Sequence, residues 1–165
     1  MNKEDLIRVN DKYWAYKAPA TIWGSELKVN IGIGFTLPEE QLDALVSVIE
    51  KRIAFLNDSR ADIEKEVLDY GAVDLANDWA ESAEPDENEE NVYIMEDGAK
   101  VRLPISEEYF LSTLRIDEAA IEFSDSLDEV ETTVYVACDP DFFAGHAFEV
   151  CIDEAGSIDR CVFAG

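Results

Sequence analysis

The sequence predicts an α+β fold: a mostly antiparallel sheet with two consecutive helices and a third short helix packed on it. Three observations carry that prediction. Residues 26–35 alternate apolar and polar side chains, the period of a half-buried strand. Leu42, Leu45, Val46, Ile49 and Ile53 then recur at helical spacing. The C-terminal part is a run of short alternating stretches separated by turn residues, which reads as an antiparallel meander. Helices grouped together, rather than alternating one by one with strands, indicate α+β.

Tyr13, Trp14 and Tyr16 open the chain as one strand-like run, punctuated afterwards by Pro19 and Gly24. The following strand, 26–35, places Leu27, Val29, Ile31, Ile33 and Phe35 on one face. Thr36-Leu37-Pro38-Glu39 reads as a helix start, with Thr36 as cap, Pro38 in the first turn and Glu39 closing a capping box. That helix runs to about Asn57. Ser59-Arg60-Ala61-Asp62 signals a second start, continued by Ile63, Val67 and Tyr70, with Leu68, Leu75 and Trp79 in a drifting stripe. Gly71 marks the point where this helix would divide.

Residues 81–91, ESAEPDENEEN, contain no strongly apolar side chain. They predict a solvated acidic loop within a single domain spanning 1–165, between an N-terminal strand/helix part and a C-terminal helix/meander part. Val92 to Met95 and Lys100 to Leu103 form a hairpin around Glu96-Asp97-Gly98. Ser106 opens a short helix that ends near Leu114. Ile121, Phe123, Val134 and Val136 belong to later strands. Phe148, Val150 and Ile152 share one strand face, and Asp153-Glu154-Ala155-Gly156 turns the chain into a last strand from Ile158 to Phe163.

The chain carries 38 Asp and Glu against 13 Lys and Arg, a net charge of −25 in 165 residues. A magnitude of about 2–8 is ordinary for a small soluble domain. Such a field argues against a nucleic-acid or anionic-membrane partner and for a basic protein. Hydrophobic residues at 47% and aromatics at 10% are enough for a core, so acidity here does not imply disorder. No apolar run reaches membrane-spanning length, and MNKEDLIRVN has no apolar signal core, so the expected location is cytoplasmic. Cys138, Cys151 and Cys161 form no C-x-x-C pair and are read as reduced thiols.

The acids concentrate in two runs. Glu81, Glu84, Asp86, Glu87, Glu89 and Glu90 form one, and Asp125, Asp128, Glu129 and Glu131 the other. Both are candidate contacts for a basic partner; the plainer reading of each is a solvated face. Residues 103–165 hold only Arg115 and Arg160 as bases, so a broad acidic surface is favoured over a local cation site.

No complete catalytic or cofactor motif is present. His146 is the single histidine, and neither its spacing to Cys138 and Asp141 nor the acidic runs match a zinc or EF-hand pattern, so no metal and no cofactor is expected. Gly32 and Gly34 lie inside a strand, not at a phosphate-binding turn. An enzyme or small-ligand reading would rest on Cys138 and His146. A hairpin across 139–145 would set Val134 opposite Val150, Val136 opposite Phe148 and Cys138 opposite His146. That face is apolar, and core packing of both residues is the better reading. Tyr13, Trp14, Tyr16 and Trp23 read as sheet core, with a binding patch as the alternative if Trp23 is exposed.

Asp141-Phe142-Phe143-Ala144-Gly145-His146-Ala147-Phe148-Glu149-Val150, followed by Asp153, Gly156 and Ala164-Gly165, resembles a C-terminal signature of small uncharacterised bacterial domains. Ile105-Ser106-Glu107-Glu108-Tyr109-Phe110, Leu114 and Trp79 fit the same pattern. Domains of this kind look like the immunity proteins that accompany polymorphic or contact-dependent toxins. The resemblance implies a non-enzymatic neutraliser that binds a cognate basic toxin, plausibly a nuclease, and supplies no catalytic residues. Within the signature, Gly145 is expected to allow a tight turn and His146 to tie the loop to the sheet. A third possibility is an acid-rich surface adapted to solubility or salt.

Overall fold

The computed structural model describes residues 1–9 and 11–165. Along the chain run β1 (Ile7–Arg8), β2 (Tyr16–Ile22), β3 (Ser25–Ile33), α1 (Leu42–Asp58), α2 (Arg60–Asp69), α3 (Ala72–Glu81), β4 (Glu84–Pro85), β5 (Val92–Ile94), β6 (Lys100–Arg102), α4 (Glu107–Thr113), β7 (Leu114–Phe123), β8 (Val130–Cys138), β9 (Ala147–Ile152) and β10 (Ile158–Ala164). A seven-stranded sheet has the order β1-β2-β3-β7-β8-β9-β10, and β4-β5-β6 form a small separate sheet. Neighbours in the large sheet are antiparallel except β3 and β7, which run parallel because the whole helical segment and the small sheet intervene between them. The fold is therefore the α+β arrangement that the sequence predicts.

One face of the large sheet is covered. Ala18 and Ile22, Val29 and Ile31, Ile116, Ala119 and Ile121, Val134 and Val136, and Phe148 and Val150 point into a single buried cluster. Leu45, Ile49 and Leu56 of α1, Ile63 and Val67 of α2, and Ala72, Ala76 and Ala80 of α3 close it from the other side. The all-alanine stripe of α3 lets its backbone approach closely, while Trp79 packs at the border. The expected register Val134 to Val150 and Val136 to Phe148 is present.

Four local readings differ. Tyr13 and Trp14 lie before β2, because the Asp11 carboxylate accepts the Tyr13 N–H at 2.8 Å and bends the chain there, leaving Tyr13 69% exposed. Thr36 does not cap α1. Pro38, with extended ψ of 146°, instead leads into a 3-10 turn at Glu39–Gln41, and α1 begins at Leu42. Ser59 donates its N–H to Phe55 O, continuing the hydrogen-bond pattern of α1, and makes no side-chain cap. Gly71, at φ +92°, separates α2 from α3, the division that its position in the sequence predicts. Finally, the expected 81–91 loop contains β4, which pairs with Tyr93 and Ile94 of β5.

Within the helical stripe, one position is not apolar. Arg52 of α1 is 7% exposed and reaches the far end of the sheet. Its Nε donates to Thr132 Oγ1 at 2.8 Å, and its guanidinium nitrogens donate to the carbonyls of Ile152 (3.3 Å), Asp153 (2.9 Å) and Glu154 (3.4 Å). It clamps the β9–β10 turn under α1. Burial lowers its pKa, and Asp153 acts in the opposite sense.

Candidate functional site

The first acidic run is built into the small sheet. Asp86 is the pivot: its side chain is only 4% exposed, Lys100 Nζ lies 2.6 Å from it, and it accepts the backbone N–H groups of Asn88 and Glu89. The Lys100 hydrogen bond and those two N–H groups hold the Asp86 carboxyl below its ordinary range, and the same pairing raises Lys100. Glu89 pairs with Lys100 at 3.2 Å and with Arg102 at 3.1 Å, and Arg102 also donates to Glu90 O. Glu84 lies in β4 and Glu81 ends α3. Glu87 and Glu90 are exposed and have no cation partner among the described residues. Two of the six carboxylates of this run, Asp86 and Glu89, are thus tied to two bases that follow them in the hairpin.

The second run is different. Asp125, Asp128 and Glu129 are exposed in the loop joining β7 to β8. Glu131 follows on β8, directly opposite Glu122 of β7 on the uncovered face of the sheet. None of these five carboxylates has a salt-bridge partner among the described residues.

The uncovered face also holds a hollow of about 300 Å³, walled by Trp14, Glu118, Glu122, Tyr135, Glu149 and Arg160. Two β-bulges deliver two of these side chains. In β7 the register shifts between Ile116 and Glu118, so Ile116 faces the core with Val136 while Glu118 turns outward beside Tyr135. In β10 the shift between Ile158 and Arg160 turns Arg160 outward beside Cys151. Simple alternation would have put Glu118 on the face of Ile116 and Arg160 on the face of Ile158. Gly32 supplies the room for Trp14: a Cβ there would lie 3.2 Å from Glu122 Cγ and 3.4 Å from the Trp14 ring.

Polar contacts organise the hollow unevenly. Tyr135 donates its hydroxyl to Glu149 Oε2 at 2.9 Å, Arg160 pairs with Glu149, and Arg160 also lies 3.3 Å from Cys151 Sγ. Burial, then the bond to Glu149, raises the Tyr135 pKa. Asn30 Nδ2 donates to Glu118 Oε1 at 2.7 Å. Asn30 is itself 6% exposed, and its Oδ1 has no partner. Glu122 is unpaired among the described residues. In the sequence Trp14 reads as core, Glu149 as part of the C-terminal signature, Arg160 as one of two bases and Cys151 as a reduced thiol, none of them as a site, and Asn30, Glu118, Glu122 and Tyr135 go unmarked. The signal was the polar half of each alternating strand, Glu118-Ala120-Glu122 and Glu131-Thr133-Tyr135.

The Gly145-His146 segment is packed and hydrogen-bonded. The Asp141 carboxylate accepts the N–H groups of Phe143 (2.9 Å) and Gly145 (2.7 Å), and Gly145 takes φ +86°. Phe142 and Phe143 are fully buried. His146 Nδ1 lies 2.9 Å from Phe143 O, and its ring stacks on Phe163 at 5.5 Å and against Trp79 at 5.4 Å. Cys138 does not meet it: the β8–β9 ladder stops at Val136–Phe148, and Cys138 pairs with Leu114. Burial pushes the Cys138 thiol up to about 12, the reverse of an activated nucleophile. Trp23 is half-buried at the β2–β3 turn, with its backbone N–H on Asn57 and its indole N–H on Leu56 O. The Arg60 guanidinium covers its ring at 5.0 Å. Trp23 is committed to the fold, not presented as an anchor.

Among the described residues no group of three or more His, Cys, Asp and Glu side chains is placed to hold a metal ion, and no helix is long and apolar enough to cross a membrane. No curated protein and no solved structure matches the chain. A family model described as "uncharacterized protein conserved in bacteria" (DUF2262) matches residues 6–161, which is nearly the whole sequence, and the chain belongs to that bacterial family.

Proposed function

We propose that this protein binds a basic protein partner through the uncovered face of its large sheet and the adjoining β7–β8 loop. The observation that carries the reading is the pair Glu122 and Glu131, directly opposed across two strands, both exposed, with no cation beside them among the described residues. Like charges so placed destabilise a sheet, and a cationic surface laid over them removes that cost. Asp125, Asp128 and Glu129 extend the same unpaired field beyond the strand ends. The run at 81–90 contributes less, because Asp86 and Glu89 already hold Lys100 and Arg102.

In its finer form, the partner is a cognate antibacterial toxin domain with a basic substrate cleft, which this protein covers and thereby neutralises. The C-terminal resemblance to immunity proteins and the acidity of the face support that form. The test is co-purification with the product of the neighbouring reading frame, read against salt. Capture should weaken as salt rises, and Glu122→Lys with Glu131→Lys should weaken it far more than Glu87→Lys with Glu90→Lys. Salt-insensitive capture, or equal losses from both pairs, would count against this face.

A further inference from the structure

We infer that the outer edge of β10, at residues 161–164, is a docking site for an extended basic segment of the partner, which pairs there as a further strand of the sheet. This rests on the proposed basic partner and gives it a second contact, at the border of the face already described.

The two edges of the large sheet are finished differently. At one, β1 pairs with Tyr16 and Lys17 of β2, and beyond that pairing the exposed Pro19 removes a donor from the edge. Short strands, lysines and prolines are the usual means of closing an edge to a foreign strand. At the other, the bulge between Ile158 and Arg160, with Asp159 and Arg160 exposed, blunts only the start of β10. From Cys161 onward the register with β9 is unbroken, and Cys161, Val162, Phe163 and Ala164 carry no charge. No backbone N–H or C=O of these four has a hydrogen-bond partner outside the β9 ladder among the described residues. An antiparallel strand turns half of its backbone groups away from its neighbour, so β10 presents a short row of unpaired donors and acceptors.

Charge selects the occupant. A second copy pairing edge to edge would bring together two chains of net charge −25 each, whereas a cationic segment is attracted. The side-chain pattern follows from the pleat. Cys161 and Phe163 pair with Val150 and Phe148 and lie toward the covered face, while Val162 and Ala164 lie toward the uncovered one. On the covered side α2 packs beside β10. Burial, then the Glu66 carboxylate of α2, raises the Cys161 thiol, and Glu66 has no cation partner among the described residues. Tyr70, which packs edge-on against Phe148 at 5.6 Å and is 47% exposed, lies on the same side. On the uncovered side Val162 stands opposite Glu149, which Arg160 already occupies. The added strand therefore carries lysine or arginine at alternate positions toward Glu66, with apolar side chains between them toward Val162. Main-chain bonds to β10 supply affinity and this alternation supplies specificity.

The probe is the end-blocked peptide Lys-Val-Lys-Val-Lys, titrated at low salt into the isotope-labelled protein and followed by NMR. Shifts and slowed amide exchange should concentrate on the backbone of residues 161–164. Blocked Lys-Pro-Lys-Pro-Lys has the same charge but lacks two backbone donors, and it should bind about five- to tenfold more weakly. Glu66→Gln, which keeps the size of the side chain, should weaken the valine peptide about two- to fivefold. Equal binding of the two peptides, an affinity unchanged by Glu66→Gln, or shifts confined to residues 87–90 or 122–131 would each overturn the assignment. Concentration-dependent broadening of residues 161–164 without peptide would also overturn it and give the edge to a second copy. Salt-sensitive capture of the neighbouring product that Glu122→Lys with Glu131→Lys abolishes, with no peptide at β10, would overturn the edge and leave the acidic face standing. The peptide seated on β10, with capture indifferent to those two changes, would do the opposite.

Discussion

The two faces of the large sheet treat charge in opposite ways. On the covered face a single cation, Arg52, is taken out of water, and its guanidinium is held by one hydroxyl and three carbonyls. On the uncovered face Glu149 holds Arg160, but Glu122 and Glu131 stand opposite one another with no cation beside them among the described residues. Burial demands that every charge be satisfied, because desolvation is expensive; exposure lets water and ions stand in for a partner. A net charge of −25 therefore says little until each acid is assigned to a face. Acids that found bases, such as Asp86, describe folding, and acids that found none leave their charge to water and ions.

The strongest way to break that contrast is to remove the buried cation. Arg52→Ala should cost about 3 kcal/mol of stability, because several carbonyls lose their donor and a cavity opens beneath α1. Denaturant unfolding measures this. Arg52→Lys should recover only part of the loss, since one ammonium cannot reproduce the spread of the guanidinium over Thr132 and the β9–β10 turn. A near-neutral Arg52→Ala would mean that the clamp is ornamental.

The thiols report the same contrast in a second way. Cys138 lies on the covered face with its thiol pushed up to about 12, and Cys161 is raised to about 11, each mainly by burial. Cys151 lies on the uncovered face beside Arg160. Alkylation at neutral pH should modify Cys151 first and leave Cys138 protected until the chain unfolds. Above about pH 9 the unfolded chain loses the Cys138 proton while the folded protein keeps it, so stability falls as pH rises, by about 1.4 kcal/mol per unit. Cys161, raised to about 11, adds a slope of its own, so Cys138→Ala should lessen that fall and Cys138→Ala with Cys161→Ala should flatten it. Fast alkylation of native Cys138 would instead revive the Cys–His enzyme reading.

Asp86 tests the boundary between the faces and the small sheet. Its carboxyl is held below its ordinary range, so its contribution is present at neutral pH and is lost as pH falls through that lowered value, below about 4. Hydrogen exchange in β5 and β6 should accelerate in that acidic range, and Asp86→Asn should remove the pH step. Persistence of the step would assign it to other carboxylates.

How much of this was legible in the sequence depended on whether a residue obeyed the local period. The strand at 26–35, the β8–β9 register and the hairpin at 92–103 follow alternation and turn chemistry, and they are where expected. Thr36 and Ser59 carry the right chemistry for caps, but the backbone at Pro38 and the continuing bond from Ser59 to Phe55 decide otherwise. Arg52 sits in an apolar stripe and is invisible to a hydrophobic count. The hollow was hidden for a different reason. Glu118 and Arg160 reach it only because a bulge changes the face on which each side chain emerges, and a bulge is set by pairing across strands.

The smallest effect is the most diagnostic for the uncovered face. Glu122 and Glu131 oppose each other, so neutralising either should remove one repulsion, worth about 0.5 kcal/mol at low salt. Glu122→Gln and Glu131→Gln should each stabilise the protein by that order, and the double variant should gain little more, because the repulsion is already gone after the first change. Added salt should erase the difference from wild type as screening replaces mutation. Additive gains would mean that each glutamate feels the general acidity of the chain, as a surface adapted to solubility would. A non-additive pair that salt silences identifies a local repulsion maintained on an open face, which is the condition a basic partner relieves.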